Sequence, residues 1–261
     1  MPQSSRFTHH NATLRAEPLT DASSPLRLVW LHGWGQSRES LRPLATALSN
    51  IGESWLIDLP GHGEASPPPH AFSPANYATL LNEWLKTQPT IPTILIGHSF
   101  GFRVAVHAAS QNPQAFKALA AIAGAGIPRP RTLRQNLRRQ AISLLMSIAK
   151  ALKPLLGEGL LQSLRQKFGS RDYLQATPTM RPTFLAVVND NTTQLCKNLP
   201  HPTLLIYGTE DTETPPHMGQ KFAKLIPHSQ LHLLPGHTHY TLLQGGRHLV
   251  EKYLRHFLQS L

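Results

Sequence analysis

The chain has 261 residues, 40% of them hydrophobic, and a formal net charge of +11 with its 15 histidines counted neutral. A chain of this length buries one large core, so one domain plus an insertion is the expectation. A single cysteine, Cys196, excludes an internal disulfide framework and a cysteine-based metal site, and no apolar run approaches the length that spans a bilayer.

Residues 1–14 hold no continuous apolar stretch of the signal-peptide kind, so a soluble, cytoplasmic protein is expected. Short apolar runs follow at 26–31, 54–57, 93–96, 119–122, 203–207 and 231–234, each bounded by Gly, Pro or polar residues. They read as buried parallel strands. Helical patterns lie between them at 41–48, 74–85, 101–109, 217–225 and 247–258. Such alternation builds a parallel sheet covered on both faces, with functional loops at the carboxyl ends of the strands.

The pattern breaks over residues 126–200, where no strand-like run appears. There Ile142, Leu145, Ala149, Leu152 and Leu156 recur at helical spacing, which predicts an amphipathic helix. Arg129, Arg131, Arg134, Arg138, Arg139, Lys150, Lys153, Arg165, Lys167 and Arg171 all fall in this segment. They read either as a solvated helix face or as a docking surface for an anionic partner. No recognition motif accompanies them, so nucleic acid is not expected.

Chemistry is concentrated in Gly97-His98-Ser99-Phe100-Gly101, directly after the run at 93–96. The two glycines leave room for a sharp strand-to-helix bend that thrusts the Ser99 hydroxyl into a cleft. A serine hydroxyl is a weak nucleophile unless a base takes its proton as it attacks. Two later strand ends supply partners: Gly208-Thr209-Glu210-Asp211, and Pro235-Gly236-His237-Thr238-His239.

In this order of serine, acid and histidine the chain resembles the α/β-hydrolase superfamily. The matching positions are His32-Gly33-Trp34-Gly35, Asp58-Leu59-Pro60-Gly61-His62-Gly63, the serine pentad, the acid loop and the histidine loop, spanning the chain from about Leu26 onward. The resemblance implies an α/β-hydrolase fold, a mostly parallel sheet flanked by helices. The core comprises residues 1–125 and 201–261, and residues 126–200 form a helical cap that supplies most of the substrate pocket. It also implies site residues. Ser99 is the nucleophile, and His239, which precedes an aromatic residue as in the family pattern, is preferred over His237 as the base. Asp211, at the family offset from Gly208, orients the histidine, while Glu210 and Glu213 face solvent. The backbone N–H groups of Trp34 and Phe100 form the oxyanion hole. The Trp34 side chain is expected to wall the pocket. His32 and His98 brace loops, and Asp58 holds a turn. Phe102 departs from the glycine of many relatives and must find space between helix and sheet.

A serine rather than a carboxylate at the elbow disfavours dehalogenase and epoxide-hydrolase chemistry. The leading expectation is hydrolysis of a small-molecule carboxylic ester through an acyl-Ser99 intermediate, without metal or organic cofactor. Hydrolysis of a carbon–carbon bond in a vinylogous diketone needs the same three groups and stays open. The chain is also similar to methyl esterases acting on pimeloyl groups carried by acyl carrier protein, which would set an acidic partner against Arg131, Arg134 and Arg138. A non-catalytic ligand receptor is the remaining alternative. The segment from Lys167 to Tyr173, followed by Met180-Arg181-Pro182, resembles a recurrent feature of an uncharacterised bacterial subgroup and is assigned no chemistry.

Overall fold

The computed structural model describes residues 4–19, 24–128, 132–151 and 159–261. The expectations at Arg129, Arg131, Leu152, Lys153 and Leu156, and for the side chains of Arg139 and Arg165, lie outside the described residues. Eight described strands form one sheet: β1 (Ser5–His9), β2 (Ala12–Pro18), β3 (Arg27–Leu31), β4 (Glu53–Asp58), β5 (Thr93–His98), β6 (Phe116–Ile122), β7 (Thr203–Gly208) and β8 (Ser229–Leu234). Their order is β1-β2-β4-β3-β5-β6-β7-β8. The β1–β2 and β2–β4 pairs are antiparallel and the other pairs parallel.

The central strands bury both faces, which is why they read as unbroken apolar runs rather than as alternation. On one face Val29, Leu31, Leu95, Leu205 and Tyr207 pack against α2 (Pro74–Lys86), α3 (Phe100–Gln111) and α9 (Pro216–Leu225). On the other, Leu28, Trp30, Ile94, Ile96, Leu204 and Ile206 meet α1 (Arg42–Ala47) and α10 (Arg247–Gln259). The period-two alternation of side chains thus divides one sheet between two cores. In register Leu31 lies opposite both Ile57 and Gly97, so the loops after β3, β4 and β5 leave the sheet side by side.

Three expectations need correction. The sequence reading has no element before residue 26, yet β1 and β2 form a hairpin that pairs with β4. Its turn, His10-Asn11, has φ of 47° and 62° at the two positions. That is a primed two-residue turn without the glycine that normally advertises it. The run at 231–234 becomes β8, a half-exposed edge strand rather than a buried one. The amphipathic pattern yields α4 (Leu133–Ala151), but Leu145 is 41% exposed, and Met146 joins Ile142 and Ala149 on the less accessible side.

After β6 the described chain is helical until β7: α4, α5 (Gly159–Phe168), α6 (Arg171–Gln175), α7 (Arg181–Asn189) and α8 (Thr193–Lys197). The end of α7 is fastened to α3. Arg103 donates to the Asp190 carbonyl at 2.6 Å, and His107 Nε2 lies 3.1 Å from Asp190 Oδ1. Burial would raise the Asp190 carboxyl, but His107 and Arg103 outweigh it and hold it below the usual carboxylate range. Among the described residues no helix is long and apolar enough to cross a membrane.

Candidate active site

Ser99 sits where β5 turns into α3, with φ 50° and ψ −112°. A side-chain-bearing residue there costs about 1–3 kcal/mol and persists only where its surroundings over-determine it. They do so here. Ser99 N–H donates to the Ile122 carbonyl at 3.0 Å, and the Ser99 carbonyl accepts from Phe102 and Ala125 at 3.2 and 3.0 Å. The flanking glycines are required by contact: a Cβ at Gly97 would stand 2.3 Å from Phe102 N, and one at Gly101 would stand 2.0 Å from the Leu31 carbonyl oxygen. Phe102 finds its space because Gly124 lacks a side chain, its ring packing 5.3 Å from that of Phe222.

Asp211 and His239 come together from the ends of β7 and β8. His239 Nδ1 lies 2.8 Å from Asp211 Oδ2, and both side chains are buried. Asp211 Oδ1 accepts from the backbone N–H groups of Glu213 and Thr214, each at 2.7 Å. Burial alone would raise this carboxyl; the contacts with His239 and Thr214 outweigh it and lower its pKa. Glu210 and Glu213 are exposed. His237 packs its ring over Gly246 and offers Glu210 its backbone carbonyl at 3.0 Å.

The link from this pair to Ser99 is one of proximity. Among the described residues no hydrogen bond joins the Ser99 hydroxyl to His239; the ring of the adjacent His98 lies 4.8 Å from the His239 ring. Catalytic hydrogen bonds are often long before substrate binds. Trp34 and Phe100 are neighbours as well, with ring centroids 5.6 Å apart. Phe100 opens α3, so its N–H has no acceptor within the helix. The Gly33 carbonyl lies 2.8 Å from His32 Nδ1 and accepts from Gln36 N–H at 3.2 Å. Because the peptide is trans, Trp34 N–H lies in the same plane and points opposite to that carbonyl.

The remaining conspicuous residues brace the loops. His32 Nε2 accepts from Leu59 N–H at 3.1 Å, which makes Nδ1 the protonated nitrogen and leaves the buried ring neutral. Asp58 ends β4 and accepts from Arg38 N–H at 2.7 Å and Glu64 N–H at 3.0 Å, besides pairing with the Arg38 guanidinium. Cys196 is buried and its thiol is pushed up to about 11 by burial, which keeps it protonated and unreactive at neutral pH.

A cavity of about 550 Å³ is lined by Trp34, Gln36 and His62 from the loops after β3 and β4, by Arg171, Gln175 and Met180 from the helical segment and by Tyr240, the residue after His239. Ser99, Asp211 and His239 are not among its lining residues. The Lys167–Tyr173 and Met180–Pro182 segments therefore acquire a place: Met180 lies against Gly61, where a Cβ would clash with its thioether at 2.4 Å. Phe184 stacks obliquely on Trp34 at 5.2 Å. His62 is driven down to about 3 by burial, with His32 adding to the effect, so it is neutral. No group of three or more His, Cys, Asp or Glu among the described residues is arranged to hold a metal ion.

Two residues of this region escape sequence reasoning. Thr214 Oγ1 lies 2.8 Å from Asp211 Oδ2, 3.1 Å from His239 Nδ1 and 2.9 Å from the Ala123 carbonyl. Its signal is the Asp-x-x-Thr spacing, since an aspartate commonly accepts from backbone N–H groups two or three residues on. Gln36 Oε1 accepts from Gly33 N–H at 3.0 Å and lies 3.0 Å from His98 Nδ1. Nothing in the sequence marks that long-range contact.

Comparison with known proteins assigns the chain to a family. A family model described as the alpha/beta hydrolase fold matches residues 27–246. A pimeloyl-(acyl-carrier protein) methyl ester esterase of Chromobacterium violaceum is 27% identical over 245 residues, covering 88% of this chain and 93% of that protein. Among solved structures, a hydrolase from Pseudomonas aeruginosa has a TM-score of 0.73 at 20% identity, covering 98% of each chain. A thermophilic esterase from Thermogutta terrifontis has a TM-score of 0.71 at 19% identity, covering 99% of this chain and 98% of that one. The sheet order, the strained serine after the fifth strand and the matched span all agree, and the chain belongs to the α/β-hydrolase fold family of hydrolases.

Proposed function

We propose that the protein hydrolyses a small-molecule carboxylic ester through an acyl-Ser99 intermediate. The observation that carries the reading is the buried His239–Asp211 hydrogen bond of 2.8 Å beside a serine held at φ 50°. Asp211 fixes the imidazole with its proton on Nδ1, leaving Nε2 as the acceptor. Nε2 takes the Ser99 proton as Oγ attacks the acyl carbon. The oxyanion so formed accepts from the N–H groups of Trp34 and Phe100. Its collapse breaks the bond to the alcohol oxygen, which leaves with the proton from Nε2. Water, deprotonated by the same nitrogen, then attacks the acyl carbon, and as the bond to Ser99 Oγ breaks Nε2 returns the proton to Oγ, releasing the carboxylic acid and free Ser99. The helices between β6 and β7 act as the cap that closes the acyl pocket over this site.

The test compares p-nitrophenyl butyrate with a ring-cleavage diketone. Turnover of the ester and stoichiometric labelling of Ser99 by a fluorophosphonate are expected. Faster turnover of the diketone would transfer the assignment to carbon–carbon hydrolysis, and a folded protein that neither turns over nor labels would be a receptor.

A second reading places the ester on an acidic acyl carrier protein, as in the name of the Chromobacterium relative. It is favoured by α4, where Arg134 and Arg138 are exposed one turn apart on a helix without a single carboxylate. Changing both arginines to alanine is expected to raise KM for a carrier-bound methyl ester about tenfold or more, while a soluble ester is hydrolysed as before. Equal loss on both substrates would remove the carrier from the reading.

A further inference from the structure

Among the described residues no backbone hydrogen bond joins the tips of the loop after β3 and the elbow after β5, yet the proposed oxyanion donors, Trp34 N–H and Phe100 N–H, come one from each. The β3–β5 ladder, which sets Leu31 opposite Gly97, brings the two loops side by side, and a side-chain link joins their tips. Resting on the hydrolase reading above, we propose that Gln36 is the positioning residue that locks the two halves of the oxyanion hole together.

The geometry is a chain of single-valued hydrogen bonds. Gln36 Oε1 accepts from Gly33 N–H at 3.0 Å, which identifies that atom as the amide oxygen. The same oxygen lies 3.0 Å from His98 Nδ1. An oxygen that is only an acceptor requires Nδ1 to carry the proton, so His98 donates and its tautomer is fixed. Burial and the neighbouring His239 push His98 down to about 3, consistent with a neutral ring. The backbone of His239 beside the ring acts in the opposite sense, and His98 Nε2 is buried without a hydrogen bond of normal geometry.

Both ends of the chain are anchored. On the loop side, the Gly33 peptide is held at its N–H by Gln36 Oε1, while its carbonyl is held by Gln36 N–H and by the His32 ring. Gln36 thus grips the peptides on either side of Gly33, and the second of these carries Trp34 N–H. On the elbow side, His98 immediately precedes Ser99, and its ring lies 4.8 Å from that of His239. Gly33 permits the approach: a Cβ there would stand 2.8 Å from His98 Nδ1 and 2.9 Å from Gln36 Oε1. Gln36 also lines the cavity beside Trp34, while its amide oxygen joins the loops.

Displacing a donor by a fraction of an ångström costs more of its interaction with the oxyanion than with the ground-state carbonyl, so loss of the lock falls on kcat. Gln36→Met keeps the length and removes the shared acceptor. The expected result is a fall of about 10- to 100-fold in kcat for p-nitrophenyl butyrate, with KM within about threefold. Affinity for a trifluoromethyl ketone, whose adduct occupies the oxyanion hole, should fall in parallel. A double variant with His98→Phe should be little worse than the worse single variant, since the two side chains form one link. Unchanged kcat and ketone affinity in Gln36→Met, or effects that multiply in the double variant, would overturn the assignment. A Gln36→Asn variant, with an amide too short to span both donors, gives the same reading if Gln36→Met is unstable. A wild-type protein that is inert towards both ester and fluorophosphonate would instead overturn the hydrolase reading, and this assignment with it.

Discussion

Replacing Ser99 by alanine is expected to lower kcat/KM for p-nitrophenyl butyrate by about 10⁴- to 10⁶-fold, because the remaining groups can only bind the ester and polarise it for water. The stability change distinguishes a strained nucleophile from an ordinary surface serine. At φ 50° and ψ −112°, alanine inherits the steric penalty of serine, whereas glycine does not. Ser99→Gly should therefore be as inactive as Ser99→Ala yet melt at a higher temperature. The relief of about 1–3 kcal/mol of strain exceeds the roughly 0.5–1 kcal/mol that glycine loses through unfolded-state entropy. Melting curves and initial rates on the three proteins suffice. An alanine variant with more than about a tenth of wild-type activity would remove Ser99 from the chemistry.

The parts of the molecule legible in the sequence are those where one local requirement has one chemical solution. Gly97 and Gly101 are forced by contacts of 2.3 and 2.0 Å to neighbouring backbone, and a bend that tight after a buried strand marks its serine without any three-dimensional information. The parallel strands were legible for a related reason: burial on both faces demands unbroken apolar runs. The hairpin of β1 and β2 was not. Only four of its twelve strand residues are buried, its alternation is blurred by Arg6, Arg15 and Glu17, and its turn uses Asn11 where glycine would have signalled it. Thr214 and Gln36 were hidden by a different cause. Their contacts with His239 and His98 span 25 or more residues, and although the Asp-x-x-Thr spacing hints at the bond from Thr214 to Asp211, local pattern carries no trace of the long-range contacts. The helices after β6 fall between these cases, since their periodicity predicts α4 but tertiary packing decides which of its apolar residues are covered.

Asp211→Asn is expected to cost about 10⁴-fold in kcat, through the tautomer of His239 rather than through lost packing. The local hydrogen bonds dictate how the amide must sit. Oδ1 accepts two backbone N–H groups at 2.7 Å, from Glu213 and Thr214, and an NH₂ placed there would face two donors. The asparagine oxygen therefore keeps that position, and its NH₂ takes the place of Oδ2, 2.8 Å from His239 Nδ1. A donor in that place holds the imidazole with its proton on Nε2, the nitrogen that accepts the Ser99 proton in the proposed reaction. The same substitution carries a pH signature. The folded carboxyl of Asp211 titrates below its ordinary range, since contacts with His239 and Thr214 outweigh burial. A depressed carboxylate contributes stability above its unfolded pKa of about 3.9 and loses it as pH falls through the folded value. The melting-temperature gap between wild type and Asp211→Asn should accordingly be widest near neutral pH and narrow in acid below about pH 4. A gap that is constant from pH 7 to pH 3 would mean that the carboxylate charge contributes nothing to the pair, and an Asp211→Asn enzyme with near-normal kcat would detach Asp211 from the base.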